Sequence, residues 1–193
     1  GLTQTSASDG NTALGNTALD SLTAAGGLRN TAVGADAGTA VTTGSDNVLI
    51  GYQAGDAITT TVGITAVGSG ALSAASGSYS TAVGFNALIL NTAGSNTAVG
   101  ALSANSITSG SGNTALGASA LSSVVTTDYS TAIGTSALAS NTGAANTAVG
   151  ALSLDANTSG VRNTALGYQS LSAIVTANDS TAVGYNALAL DTG

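Results

Sequence analysis

Residues 96–112 read NTAVGALSANSITSGSG, and residues 113–129, which follow them, read NTALGASALSSVVTTDY. Both stretches begin with one five-residue motif: a small polar residue, Thr, Ala, a branched aliphatic residue and Gly. The motif occurs eleven times, at intervals of 16 to 19 residues that are mostly 17. Its copies begin at Asn11, Asn30, Asn47, Ile64, Ser80, Asn96, Asn113, Ser130, Asn146, Asn163 and Ser180. This period predicts a single repeat array over residues 1–193, without separate domains.

The first four positions of the motif have the character of a β-strand. Position 2 is Thr in ten of the eleven copies, and the exception, Val48, has nearly the same shape. Position 4 is always Val, Leu or Ile, and alternation of side chains places it on the same strand face as position 2. We expect this face to point into the core. The predicted core residues are Leu14, Val33, Ile50, Val67, Val83, Val99, Leu116, Ile133, Val149, Leu166 and Val183.

Position 5 of the motif is always Gly, which suits a corner with positive φ or a close approach between neighbouring backbones. The predicted corner glycines are Gly15, Gly34, Gly51, Gly68, Gly84, Gly100, Gly117, Gly134, Gly150, Gly167 and Gly184. Most copies then carry Ala-Leu at positions 8 and 9, which we interpret as a second core strand. A loop rich in Thr, Ser, Asn, Asp and Gly leads to the next copy.

These features predict an all-β fold, a parallel β-solenoid (β-roll or β-helix) of about eleven coils of ~17 residues that belongs to a fibre. Coils stacked about 4.8 Å apart would form a rod of roughly 50 Å, with Asn and Ser of position 1 as polar ladders. A helical array is the first alternative, but no segment of 10 to 12 residues has helical periodicity. Disorder is the second, but 43% hydrophobic residues at a fixed register indicate a core.

The composition speaks against several functional classes. The chain has no Cys, His, Lys, Glu, Met, Pro or Trp, and its nine Asp are isolated, so we expect no enzyme, no catalytic residues, no metal site and no cofactor. Arg29 and Arg162 are the only basic residues, which is unlike a nucleic-acid-binding protein. The longest apolar stretches are four or five residues, too short for a membrane span.

The motif followed by Tyr-Asn-Ala-Leu, as in residues 180–188, resembles the shaft repeats of phage tail-fibre proteins. It is also similar to the head repeats of trimeric autotransporter adhesins, whose repeat is shorter. The resemblance covers all eleven copies. It implies a left-handed parallel β-roll that packs as a homotrimer, and an extended surface fibre that serves for attachment or as a spacer.

We therefore expect a structural or adhesive repeat segment of an extracellular, cell-surface or virion fibre. The expected partner is the chain itself, as a homotrimer or as an end-to-end polymer, because residues 1–10 fit the second half of a coil and the last coil is incomplete. Tyr52, Phe85, Tyr168 and Tyr185 follow corner glycines and would align along one edge. They predict an inter-chain seam, with stacking on sugars as the alternative, so that a cell-surface receptor or a glycan is the other expected partner.

Ice binding is the alternative function. A β-solenoid that displays one Thr per coil on a flat face presents a regular array at strand spacing, and Thr recurs at position 2. Position 2 shares its strand face with the aliphatic position 4, so we expect these threonines to point inward. The face that the Thr column occupies therefore discriminates between the two functions.

Overall fold

The computed structural model describes residues 10–23, 26–74, 77–123 and 125–189. In this part of the chain each motif forms one short strand, and the eleven strands make one parallel sheet in sequence order. The strands are β1 (Thr12–Leu14), β2 (Thr31–Val33), β3 (Val48–Ile50), β4 (Thr65–Val67), β5 (Thr81–Val83), β6 (Thr97–Val99), β7 (Thr114–Leu116), β8 (Thr131–Ile133), β9 (Thr147–Val149), β10 (Thr164–Leu166) and β11 (Thr181–Val183). The predicted parallel β-solenoid is confirmed, with ~17 residues per coil and no helix among the described residues.

Each strand pairs with its neighbours so that equivalent positions of the repeat lie side by side. In the β6–β7 pair, for example, Thr97 is opposite Thr114, Ala98 is opposite Ala115 and Val99 is opposite Leu116. The repeat in the sequence thereby becomes a set of columns that run along the solenoid. We number these columns by position in the repeat, and we number the coils 1 to 11 from the motif that begins each one.

The strand face that points into the solenoid is the opposite of the predicted one. Position 3 is buried in every strand, whereas positions 2 and 4 are half-buried or exposed. The core prediction was therefore wrong for all eleven residues of position 4, whose side chains point outward: Leu14, Val33, Ile50, Val67, Val83, Val99, Leu116, Ile133, Val149, Leu166 and Val183. The alternation itself was right, but at position 3 the narrow interior holds only the methyl group of Ala in ten of the eleven coils.

The core is built from small and aliphatic side chains of several columns. Ala of position 3 packs with Ala and Leu of positions 8 and 9, and Val41, Ile58 and Ile107 of position 12 complete the interior. The prediction of a second strand at positions 8 and 9 was wrong. Leu121 and Leu138, both fully buried, have φ of 52° and 51°, so the chain turns there and places two consecutive side chains inside.

Coil 3 shows how tightly the interior volume is set. Leu49 occupies position 3, where the other ten coils have Ala, and position 9 is Gly38 in coil 2 and Gly55 in coil 3. A Cβ on Gly38 would lie 2.5 Å from Leu49 Cδ1, and a Cβ on Gly55 would lie 2.7 Å from Leu49 Cδ2. The larger side chain from the strand thus takes the space that Leu of position 9 fills in other coils, as a close-packed interior requires.

The glycines of position 5 form the corner at which each strand ends. All eleven have φ between 126° and 145°, a region that side chains rarely adopt. Adjacent corners also touch: a Cβ on Gly117 would lie 2.6 Å from the carbonyl carbon and oxygen of Gly134. Gly184 has the same backbone conformation, but among the described residues a Cβ there would meet only Ala187 Cβ, at 3.9 Å.

This difference between Gly117 and Gly184 separates backbone strain from steric clash. We expect Gly184→Ala to lower the free energy of unfolding by about 1–2 kcal/mol through strain alone. Gly117→Ala should lower it by about 3 kcal/mol or more, because its Cβ also clashes with the next coil. Thermal and urea denaturation followed by circular dichroism, at one protein concentration, would measure both. Equal losses would show that the close approach of the corners is unimportant.

In the seven coils that have Asn at position 1, its side chain joins the coil to itself and to the next coil. Asn113 is buried, and its Nδ2 donates to the backbone oxygen of Thr127, the end of its own coil, at 2.7 Å. Its Oδ1 accepts from the backbone amide of Ser130, the start of the next coil, at 3.0 Å. Asn96 makes the same two bonds, with Gly110 and Asn113. We call this arrangement the Asn clamp, and it satisfies backbone groups that the strand ladder leaves inside.

Replacement of Asn113 tests the Asn clamp. Asn113→Ala leaves the amide of Ser130 and the carbonyl of Thr127 without these partners, so we expect a loss of about 2–4 kcal/mol in unfolding free energy. Asn113→Ser should cost less, because Ser80 and Ser130 occupy position 1 naturally and their Oγ atoms accept the next amide, at 3.3 Å. Denaturation midpoints of the two variants give the comparison. If Ser proved as harmful as Ala, the clamp would be refuted.

The expectation that residues 1–10 fill the second half of a coil falls almost entirely outside the described residues, which begin at Gly10. The same holds for residues 190–193 of the final coil.

Candidate association surface

The outward face of the sheet consists of the columns of positions 2 and 4. In each coil one Thr, or Val48 in coil 3, lies beside one Val, Leu or Ile. The aliphatic column faces solvent in the single chain: five of its side chains are exposed, among them Leu14 at 42%, Leu116 at 45% and Leu166 at 47%, and the other six are half-buried. No Asp or Arg occurs at positions 1 to 5 of any coil. We call this continuous uncharged surface the Thr/aliphatic face.

Sequence reasoning placed these threonines inside the solenoid, and the structure places them outside. Four of the ten strand threonines are exposed, namely Thr12, Thr97, Thr164 and Thr181, and the other six are half-buried. One signal in the sequence could have revealed the phase. Position 3 is Ala in ten coils, whereas position 4 varies among Val, Leu and Ile. A narrow interior restricts the size of a side chain more than a solvent-facing surface does.

The residues just before each motif border the Thr/aliphatic face on one side. Arg29 pairs there with Asp46 in the next coil through Nε and Nη2, at 2.5 and 2.7 Å, and Arg162 pairs with Asp179 in the same way, at 2.6 and 2.8 Å. Hydrogen bonding to the guanidinium lowers the pKa of Asp46 and of Asp179. Both pairs are exposed, so they contribute little to stability. They place the charges beside the face rather than on it.

Two tyrosines of the same pre-motif column pack against glycines of the preceding coil. A Cβ on Gly63 would lie 3.0 Å from Cδ1 of Tyr79, and a Cβ on Gly112 would lie 2.7 Å from Cδ1 of Tyr129. The two rings remain about 70% exposed, at 70% and 71%. They therefore cover backbone at one border of the face and keep a free ring surface.

Position 6, directly after the corner, forms the other border of the face. Tyr52, Phe85, Tyr168 and Tyr185 all lie in this column, in coils 3, 5, 10 and 11, and their exposures range from 43% to 74%. Tyr168 and Tyr185 occupy adjacent coils and stack, with ring centroids 5.6 Å apart and planes inclined by 14°. The four aromatic residues thus share one edge, and their role as an inter-chain seam stays a prediction.

The carboxylates of the described residues are dispersed. Burial raises the pKa of Asp56 and of Asp155, which lie at position 10 of coils 3 and 9. Within the described ranges no three potential metal ligands lie together, and no helix is long and apolar enough to cross a membrane. The surface offers hydroxyl, aliphatic and aromatic groups in regular rows, which suits binding through van der Waals contacts and hydrogen bonds.

A scan against protein-family models, a search of curated proteins and a search of solved structures each found no match to this chain.

Proposed function

We propose that this chain is a structural or adhesive segment of an extracellular, cell-surface or virion fibre, in which copies of the chain associate laterally through the Thr/aliphatic face. The observation that supports this function most is the uninterrupted column of outward-facing aliphatic side chains along β1 to β11, five of which are exposed and six half-buried in the single chain. Large exposed apolar patches on a folded protein mark interaction surfaces. A spacer or an attachment device requires length, and stacked coils supply it.

The dimensions of the face are compatible with self-association. Eleven strands at about 4.8 Å extend over roughly 50 Å, and the face is about 10–13 Å wide, so one copy presents roughly 500–650 Å². Two copies would bury roughly 1,000–1,300 Å² together, at the lower end of stable interfaces. In the homotrimer that we propose, the faces of three copies turn towards a shared axis. End-to-end growth through the open edges of terminal strands is compatible with lateral association.

A second copy also fits the chemistry of the face. In each copy, Thr and an aliphatic residue recur along the face at the spacing of the strands. Two parallel copies therefore present columns of the same residues with the same spacing to each other. Neither copy would bury a charge, since Arg29, Asp46, Arg162 and Asp179 lie beside the face. Burial of Leu116 and its equivalents would supply the apolar area that a thin solenoid does not enclose.

Charged substitutions on the Thr/aliphatic face test the proposal. We expect the double variant Leu116→Glu and Leu166→Glu to shift the chain from trimers or larger assemblies to monomers, because the interface would bury two unpaired carboxylates. The matched control is Ser109→Glu and Ser140→Glu, which adds the same charge at exposed positions away from the strands. Analytical ultracentrifugation measures the assembly state, and circular dichroism verifies the fold.

Self-association of the control variant should equal that of the unmodified chain. A folded unmodified chain that stays monomeric across a wide concentration range would contradict the fibre proposal.

Ice binding is a second candidate, and one observation favours it: the Thr column of position 2 points outward. Its hydroxyl and methyl groups recur at about 4.8 Å along the sheet in ten of eleven coils. The expectation that these threonines point inward, which weighed against ice binding, was wrong. The branched side chains of position 4 on the same face fit contact between chains better, so the fibre remains our main proposal.

A thermal-hysteresis assay separates the two functions. Ice binding predicts hysteresis for the monomeric chain and its loss in the double variant Thr114→Lys and Thr131→Lys, which disrupts the Thr column. The control Ser109→Lys and Ser140→Lys should then retain it. The fibre function predicts no hysteresis for any of the three proteins, so freezing-point depression by the unmodified chain would favour ice binding.

A further inference from the structure

The four aromatic residues of position 6 share a neighbour of one chemical type. Each is followed at position 7 by a side-chain amide: Tyr52-Gln53, Phe85-Asn86, Tyr168-Gln169 and Tyr185-Asn186. The other seven coils have no aromatic residue at position 6 and no amide at position 7, where they carry Thr17, Asp36, Gly70, Leu102, Ser119, Ser136 and Leu152. Ring and amide therefore occur together, and we call each such unit a ring–amide pair.

Packing between chains explains the ring of each pair but not the amide. All residues of position 7 other than Gly70 have φ between 52° and 58°, and Asn adopts this conformation more readily than most residues. That preference would account for Asn86 and Asn186. It does not account for Gln53 and Gln169, because Gln has no such preference. The common property of the four side chains is thus the primary amide itself, with two donors and one acceptor oxygen.

The amides of the ring–amide pairs are available to a ligand. Among the described residues, none of the four makes a side-chain hydrogen bond to another residue, in contrast to the Asn residues of the clamp. Each amide residue directly follows an aromatic residue that is at least 43% exposed; Asn186 is itself exposed, and the other three amide residues are half-buried. An exposed apolar ring face beside an unpaired donor and acceptor fits a ligand that is itself apolar on one face and hydroxylated at its edge.

The ring–amide pairs fall into two groups along the edge. Tyr168 and Tyr185 form one stacked platform of two rings in adjacent coils. Tyr52 and Phe85 are two coils apart, roughly 10 Å along the solenoid. Coil 4, between them, has only Ser69 and Gly70 at positions 6 and 7, and the Asn86 amide lies over Gly70, where a Cβ would clash with its Oδ1. The edge therefore offers a platform at one group and a notch at the other.

From these observations we infer that the ring–amide pairs bind neutral carbohydrate. A pyranose ring presents C–H groups to the negative face of an aromatic ring, and its hydroxyl groups bond to amides. Nucleobases also stack on aromatic rings, but the net charge of −7 and the absence of a basic cluster disfavour a phosphate backbone. The same charge disfavours acidic sugars. The inference specifies the attachment role of the proposed fibre and rests on it.

Affinity electrophoresis in gels that contain mannan, dextran or galactomannan tests the inference. We expect at least one of these polysaccharides to retard the unmodified chain. A ring variant changes Tyr52, Phe85, Tyr168 and Tyr185 to Ala, and an amide variant changes Gln53, Asn86, Gln169 and Asn186 to Ser. Ala at position 6 and Ser at position 7 occur naturally in other coils, so both variants should fold.

The dissociation constant, taken from the dependence of mobility on polysaccharide concentration, should rise at least tenfold in both variants. The control, Tyr79→Ala and Tyr129→Ser, removes exposed tyrosines that have no amide neighbour and should bind like the unmodified chain. Analytical ultracentrifugation of the same samples reports self-association separately. Assembly that persists while binding is lost would support the inference and leave the fibre intact.

Three results would overturn the inference. The first is no retardation of the unmodified chain by any of the three polysaccharides. The second is loss of assembly with unchanged retardation in the ring variant, which would make the rings an inter-chain seam. The third is normal binding by the amide variant, which would show that the pairing of ring and amide has no function in binding.

Discussion

The inward direction of position 1, which is Asn in seven coils, Ser in three and Ile in one, is the constraint on which the rest of the solenoid depends. A coil of 17 residues with only three in a strand has many backbone groups that no strand ladder can pair. The Asn113 side chain holds the end of its own coil, at Thr127, and the start of the next, at Ser130. One side chain thereby sets both the closure of a coil and its distance from its neighbour. The phase of the strand follows, because an inward position 1 makes position 3 inward and positions 2 and 4 outward.

The narrow interior is the second consequence of this closure. Once Asn turns inward at one end of the strand, only Ala fits at position 3 against Leu of position 9. Coil 3 obeys the same volume rule with different residues, since Leu49 is matched by Gly38 and Gly55. With so little room inside, the branched side chains that favour a strand are displaced to the surface. The exposed Thr/aliphatic face is therefore a product of the core.

The sequence was sufficient to predict the architecture, but not to predict which side chains of each strand point into the core. Period, corner glycines and short β-branched runs require stacked coils, and the structure has them. The facing depends on interior width, which is a property of the closed coil and not of any one strand. Val or Leu at position 4 and Ala at position 3 are both apolar, so hydrophobicity alone favoured the wrong position as the inward one.

The ring–amide pairs were missed because Gln53 and Gln169 form a pattern only when position 7 is aligned across coils. The turn at Leu121 was missed because a buried Leu with positive φ contradicts local preference.

Every strand of the sheet contacts only the strand before it and the strand after it. In the described part of the chain, the contacts between strands are therefore the same however many coils there are. Residues 96–145 and 146–193 repeat the same succession of coils at a shift of 50 residues, and three coils add about 14 Å at the strand spacing. Duplication or deletion of that unit would change reach while cross-section, surface chemistry and coil joints stay the same. The length of the solenoid can therefore change in steps of one coil, and the structure of the remaining coils does not have to change.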